Sequence, residues 1–181
     1  MQYDNYKKVL NIGEGEQKKW LYKELDIPSF ELNTFVFAQQ KQSVPSLSAD
    51  ISAKINRLAT VSNKRIFIQP NVFNKMSSVA VSQKARKYDL MLRYPFMDID
   101  TIRIQIPPGY HPEYLPEEII LESPFGTYKA EFVANEDGLT YIRRYSLVKG
   151  RFSPEDYLKY VNFVNKVAES DKIKLVLVKS T

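Results

Sequence analysis

Any acid–base or nucleophilic chemistry in this 181-residue chain would have to start from its single histidine, His111. A hydrolase needs a nucleophile, a base and a group that orients the base. His111 lies in Gly109-Tyr110-His111-Pro112, and no G-x-S-x-G elbow occurs in the chain, so it reads as a surface-loop histidine. The absence of cysteine excludes a thiol nucleophile, disulfides and Cys-based metal sites. One histidine without cysteine also argues against zinc. Asp98 and Asp100 are two apart and would share a strand face. Paired carboxylates can hold calcium or work as acid and base, but this pair follows Pro95 near a strand start and reads as an exposed edge or a turn cap. Glu117-Glu118 behind Pro116 read as solvated turn residues, and Gly13 and Gly15 lack the third glycine and the preceding strand of a phosphate-cradling loop. The expectation is therefore no catalytic, cofactor-binding or metal-binding residue, and no cofactor.

The aromatics suggest a second class of function. The chain has 12 Tyr, 10 Phe and 1 Trp, and exposed rings can serve as flat platforms for a glycan or a cell-surface polymer. Tyr88, Tyr94, Tyr110, Tyr114, Tyr128, Tyr141 and Tyr145 are the candidates. However, Tyr128, Ala130 and Phe132 alternate onto one strand face, as do Tyr141, Arg143 and Tyr145, and same-face aromatics usually form core or cross-strand pairs. The 26 basic residues against 21 acidic ones leave a charge of +5. Nucleic-acid binding would want that excess in a stripe. Instead Lys18-Lys19, Arg86-Lys87, Arg143-Arg144, Lys172 and Lys174 are scattered, as on a solvated surface. No run of about 18 apolar residues occurs, so no membrane span is expected, and no signal peptide follows Met1.

The elements around these residues read mostly as strands. Ile102, Ile104 and Ile106 alternate with Thr101, Arg103 and Gln105, the period-2 pattern of a half-buried strand. Pro107-Pro108-Gly109-Tyr110 stops it, with Pro108 and Gly109 suited to a type II turn. Further strands are expected at Phe30–Ala38, where Phe30, Leu32, Thr34, Val36 and Ala38 make an imperfect alternation, and at Leu47–Asn56, Arg65–Gln69, Lys87–Tyr94 and Ile119–Leu121. Thr127–Ala134 and Leu139–Lys149 read as a hairpin closed by the Asp137-Gly138 signal. Residues 70–85 read as a long loop, His111 to Pro116 as a proline-punctuated link, and Gly150 as the end of the strand run. Ser153-Pro154-Glu155-Asp156 is a helix start with Ser153 as N-cap. Beyond it Tyr157, Tyr160, Val161, Val164, Val167 and Ala168 form one apolar stripe. Ile173–Val178 closes the chain as a strand. The predicted architecture is mainly β: an antiparallel β-sandwich over 28–181 with a C-terminal helix packed on it, preceded by a short helical tail over 1–27. Helices so short are marginal alone, so Trp20, Leu21 and Leu25 are expected to form an interdomain contact.

From Arg65 to the C-terminus the chain resembles the C-terminal β domain of large bacterial proteins built from an N-terminal β domain, a central transglutaminase-like domain and this module. The resemblance rests on Lys64-Arg65-Ile66-Phe67-Ile68-Gln69-Pro70-Asn71, Asp98-Ile99-Asp100-Thr101, Ile106-Pro107-Pro108-Gly109-Tyr110, Ser123-Pro124-Phe125-Gly126-Thr127-Tyr128 and Lys149-Gly150-Arg151-Phe152-Ser153-Pro154. Residues 1–64, with Gln17-Lys18-Lys19-Trp20-Leu21-Tyr22-Lys23, look like the stretch leading into that domain. The resemblance implies a domain of unknown function, non-catalytic because the family's Cys, His and Asp belong to the central domain. It further implies an upstream transglutaminase-like partner in the same parent chain, a peptide or glycan ligand, and a periplasmic or cell-surface location. Met1 would then be an expression start on a mid-chain fragment.

Overall fold

In the computed structural model the described residues are 7–25, 27, 29–41, 46–56, 58–79, 86–135 and 138–180. The chain divides into two compact units, Met1–Leu58 and Ala59–Thr181. The first unit groups the helical segment with the first hairpin, whereas the sequence reading drew its boundary between residues 27 and 28.

In the first unit a 3-10 turn, Lys7–Asn11, precedes helix α1, Glu14–Glu24. Gly13 sits at the cap, and its carbonyl accepts from Glu16 N and Gln17 N, both at 2.9 Å. Gly15 lies inside the helix. Strands β1 (Phe30–Gln40) and β2 (Ser46–Ile55) form a two-stranded antiparallel ribbon. The irregular alternation of β1 has a physical cause. A bulge between Leu32 and Thr34 shifts the register, so Phe30 and Leu32 share a face with Phe35 and Phe37. Thr34, Val36 and Ala38 turn to the opposite side, against expectation. One extra residue in a strand inverts every side chain after it.

The second unit is the mainly β architecture expected, with antiparallel sheets and a C-terminal helix. Strand β6 (Phe96–Gln105), β8 (Ile119–Ser123), β9 (Gly126–Asn135) and β10 (Gly138–Leu147) form a four-stranded sheet in the order β6-β10-β9-β8. A second sheet contains β3 (Ala59–Ser62), β4 (Arg65–Ile68), β7 (Tyr110–Tyr114) and β12 (Leu175–Lys179), ordered β3-β4-β12-β7. A small pair joins β5 (Leu90–Leu92) to β11 (Gly150–Phe152). Helix α2 spans Tyr157–Ser170.

The inner face of β10 shows how these layers meet. Leu139, at one end, packs with Leu175 and Leu177 of β12. Tyr141 and Tyr145, farther along, join Phe163, Val164 and Val167 of α2 in a second cluster. Val161, Val164, Val167 and Ala168 of the predicted stripe are buried, together with Phe163. Each fully buried Val or Phe contributes up to about 1.5–3 kcal/mol.

The Pro107–Tyr110 turn forms as read: Tyr110 N donates to Pro107 O at 3.1 Å, and Gly109 takes φ 78°. Elsewhere the local reading needs correction. The Lys87–Tyr94 strand shrinks to Leu90–Leu92, and Gly150 opens β11 instead of ending the run. The link after Tyr110 is strand β7, which tolerates Pro112 because it lies at a sheet edge. Ser153 precedes a 3-10 turn, Pro154–Asp156, and makes no side-chain cap. Its hydroxyl donates to Asp156 Oδ2 at 3.1 Å. Strand β3 was not foreseen. The centre of the β9–β10 turn lies outside the described residues.

Candidate functional site

The sequence-level candidates for chemistry are each engaged by neighbours. Asp98 and Asp100 lie on an edge strand, β6, as expected, but on its inner face and half-buried, because Phe96 and Ile102 on the same face pack against the core. Asp100 Oδ2 accepts from Arg143 Nη1 at 3.1 Å, and its Oδ1 accepts from Asn74 Nδ2 at 2.6 Å. His111 sits on β7, with Nδ1 3.2 Å from Ser180 Oγ. A nucleophile–base pair needs a third group to orient the ring. The nearby carboxylate, Glu113, has both oxygens bound by the Arg65 guanidinium, which holds its carboxyl below the usual range. Both His111 and Ser180 are exposed, so water competes for every bond they make. Among the described residues no group of three His, Cys, Asp or Glu side chains could hold a metal ion, and no helix is long and apolar enough to cross a membrane.

The centre of the second unit holds a feature not foreseen. Arg143 and Asp171 are each 1 % exposed in their side chains. Arg143 Nε donates to Asp171 Oδ1 at 2.7 Å and Nη2 to Oδ2 at 3.0 Å, a fork-on-fork pair. Tyr128 Oη donates to Asp171 Oδ1 at 3.0 Å, and Met76 N to Oδ2 at 2.9 Å. The Asp171 carboxylate therefore accepts four bonds and has no vacant lone pair to offer a substrate. The guanidinium lies 5.4 Å from the ring centroids of both Tyr128 and Tyr145. Burial works against its charge, but the hydrogen bonds and charge of Asp171 raise its pKa regardless. This cluster joins elements: Asp171 ends α2 just before β12, Arg143 lies in mid-β10, and Met76 belongs to the long loop. Asn165 of α2 pins the same loop, accepting from Val79 N at 2.8 Å and donating to Val79 O at 3.2 Å.

Arg143 had been grouped with Arg144 as surface charge. Only Arg144 is exposed, paired with Glu131 at 3.0 Å. The signal that could have separated them is parity: Arg143 falls between Tyr141 and Tyr145 on a face that is otherwise apolar.

Tyr128, Tyr141 and Tyr145 are 0, 2 and 1 % exposed and so cannot be glycan platforms. Burial raises the pKa of all three. Tyr88, Tyr94 and Tyr114 are exposed, on separate segments with no ring contact between them.

Trp20, Leu21 and Leu25 lie on α1 or its C-terminal cap. Leu21 is buried, and Trp20 meets Phe37 edge-on at 5.9 Å. Tyr22 stacks on Phe30 at 4.7 Å, and its hydroxyl accepts from Leu32 N at 3.3 Å. The helix thus has a local partner in the ribbon, which sequence reasoning had not supplied. Leu25 and Trp20 remain half-buried, and Tyr22, Val36 and Ile51 are exposed.

A family model described as a domain of unknown function with a solved structure, DUF3858, matches residues 64–177. Among solved structures, a crystal structure from Parabacteroides distasonis that carries the provisional name of a protease aligns at 15% identity and a TM-score of 0.45. It takes in 54% of this chain and 19% of that one. No curated protein matches.

Proposed function

The chain belongs to the DUF3858 family of domains of unknown function, and from that premise we propose that it is a non-catalytic accessory domain of an exported, transglutaminase-like, cysteine protease-like protein. It packs on the upstream catalytic domain or positions substrate for it. The observation that carries this reading is the state of the Arg143–Asp171 cluster, where the most deeply buried ionised groups are saturated by internal partners and serve the fold. The absence of cysteine and the resemblance of the motifs from Lys64 to Pro154 support it. The half-buried Trp20 and Leu25, with Tyr22 exposed beside them, then supply the interdomain contact. Leu21 belongs to the unit's own interior. A periplasmic or cell-surface location goes with the same reading.

The test is the reading frame upstream of residue 1, followed by deletion. A frame continuing into a domain with Cys, His and Asp is expected, and removing residues 1–181 should raise KM with kcat little changed. A separate start codon with its own ribosome-binding site, or hydrolytic activity in the purified 181-residue chain, would overturn the proposal.

A further inference from the structure

Strand β8 is an edge of its sheet, and among the described residues nothing pairs with its outer side. Half the backbone N–H and C=O groups of such a strand point away from its neighbour and can template another strand. Natural edges are usually blunted by proline, lysine, a bulge or brevity. Here β3 is four residues long, and β7 carries Pro112 and faces a register shift in β12. By contrast β8 reads Ile119-Ile120-Leu121-Glu122-Ser123 and pairs with β9 without irregularity. Ile120 is 56 % exposed. The far edge of the same sheet, β6, is also regular and open, but it carries Asp98 and Asp100 on its inner face, and among the described residues no helix groove with lysines lies beside it.

Helix α2 runs beside this edge. Between them lies a groove of about 310 Å³, floored by Leu121 and Phe163 and walled on the helix side by Lys159, Asn162 and Lys166. Among the described residues Glu122 is the one acidic side chain on its lining. Lys159 bonds Asp156 at 2.9 Å, whereas Lys166 has no carboxylate within ion-pair distance among the described residues. The two lysines are two helical turns apart, about 10.5 Å, between the roughly 7 and 13 Å that separate same-face side chains two and four residues apart on an extended chain.

We infer that this groove takes an extended acidic peptide, which adds to β8 as a further strand and sets carboxylates against Lys166 and Lys159. Backbone pairing supplies the affinity in such complexes, and alternate side chains choose the sequence. The acidic side chains are then the set that points toward the helix, with their methylene stems over Leu121 and Phe163, and the alternate apolar side chains lie on the outer face beside the exposed Ile120. This goes beyond the accessory role, which holds whether or not the groove binds peptide.

The probe is a dye-labelled octapeptide of alternating valine and glutamate, titrated into the 181-residue chain by fluorescence anisotropy, with amide shifts mapped by NMR. Saturable binding is expected, with shifts confined to Ile119–Ser123 and the 159–166 face of α2. Lys166→Glu should weaken binding at least tenfold with the melting temperature unchanged, and Lys159→Glu should act in the same direction. A valine–lysine octapeptide should not bind, and N-methylation of the valine–glutamate backbone should abolish binding. The inference is overturned by any of these: no saturation in the millimolar range, equal affinity for the lysine or N-methylated peptide, shifts elsewhere, or dimerisation through β8. A failed titration together with an upstream Cys, His and Asp domain would sink the groove and leave the accessory reading standing. Binding without such a domain would do the reverse.

Discussion

The ribbon of β1 and β2 and the central pair β9 and β10 are built from strands of nearly equal length, ten or eleven residues each. Their interiors differ. No residue of β1 or β2 is buried, and the buried apolar side chains described in the first unit are Val9, Leu21 and Ile27. On β9 and β10, Tyr128, Ala130, Leu139, Tyr141 and Tyr145 are buried, with an arginine among them. The difference lies in layers, not in strand propensity. A two-stranded ribbon is marginal alone, and one eleven-residue helix covers only part of its apolar face. The central sheet is covered by α2 at one end and by β12 at the other. A core requires two faces closed on each other.

The strongest way to break this comparison is Asp171→Ala. It leaves the Arg143 guanidinium buried with only Asp100 as a charged partner. Removing one member of a buried pair costs about 3–5 kcal/mol, so urea unfolding should show a loss of that order. A loss under about 1 kcal/mol would mean that Arg143 escapes to water and that the second unit is not locked at its centre. Gly138→Ala comes next. An added Cβ would lie 2.1 Å from the Ile104 carbonyl oxygen, so β6 and β10 would have to separate, at about 1–3 kcal/mol, read from the thermal midpoint.

Alkali tests the same unit through its tyrosines. Tyr128, Tyr141 and Tyr145 have folded pKa values raised by burial. Their contribution is therefore fully present below the unfolded value near 10 and is lost as pH rises above it. Each ionises in the unfolded chain first, so stability should fall as pH rises above 10, by up to about 1.4 kcal/mol per pH unit for each of Tyr128 and Tyr145, with Tyr141 adding in the same direction. Flat stability from pH 10 to 11, followed by denaturant titration, would contradict their burial. The smallest effect is expected in the first unit. Trp20→Ala removes the edge-on ring contact with Phe37, worth about 0.5–1.5 kcal/mol beyond the apolar area that the half-buried ring covers. A larger loss would assign Trp20 to a true core and erase the contrast between the units.

Much of the fold was legible because it is local. The isoleucine alternation of β6, the apolar stripe of α2 and the Pro-Pro-Gly-Tyr turn each depend on residues within a few positions of one another. The errors have a common cause as well. The bulge in β1 is decided by which residues of β2 lie opposite. Pro112 looks like a strand breaker until β7 is known to be an edge. Ser153 looks like a cap until its hydroxyl finds Asp156. For the candidate site, the sequence excluded thiol chemistry outright, but it placed Arg143 on the surface and left α1 without a partner.

By itself, then, the sequence determined a mainly β chain with one covering helix, and denied it a cysteine. Local periodicity is enough for that, since the backbone has few regular conformations and apolar spacing selects among them. Only the tertiary structure decided that Arg143 is buried, that Asp100 and Asp171 neutralise it, and that β6 and β8 are left as open edges while β7 is guarded. Residues 100, 143 and 171 are far apart in the chain. Whether a charge lies in water or in the interior depends on what the fold places opposite it, and no local pattern carries that information.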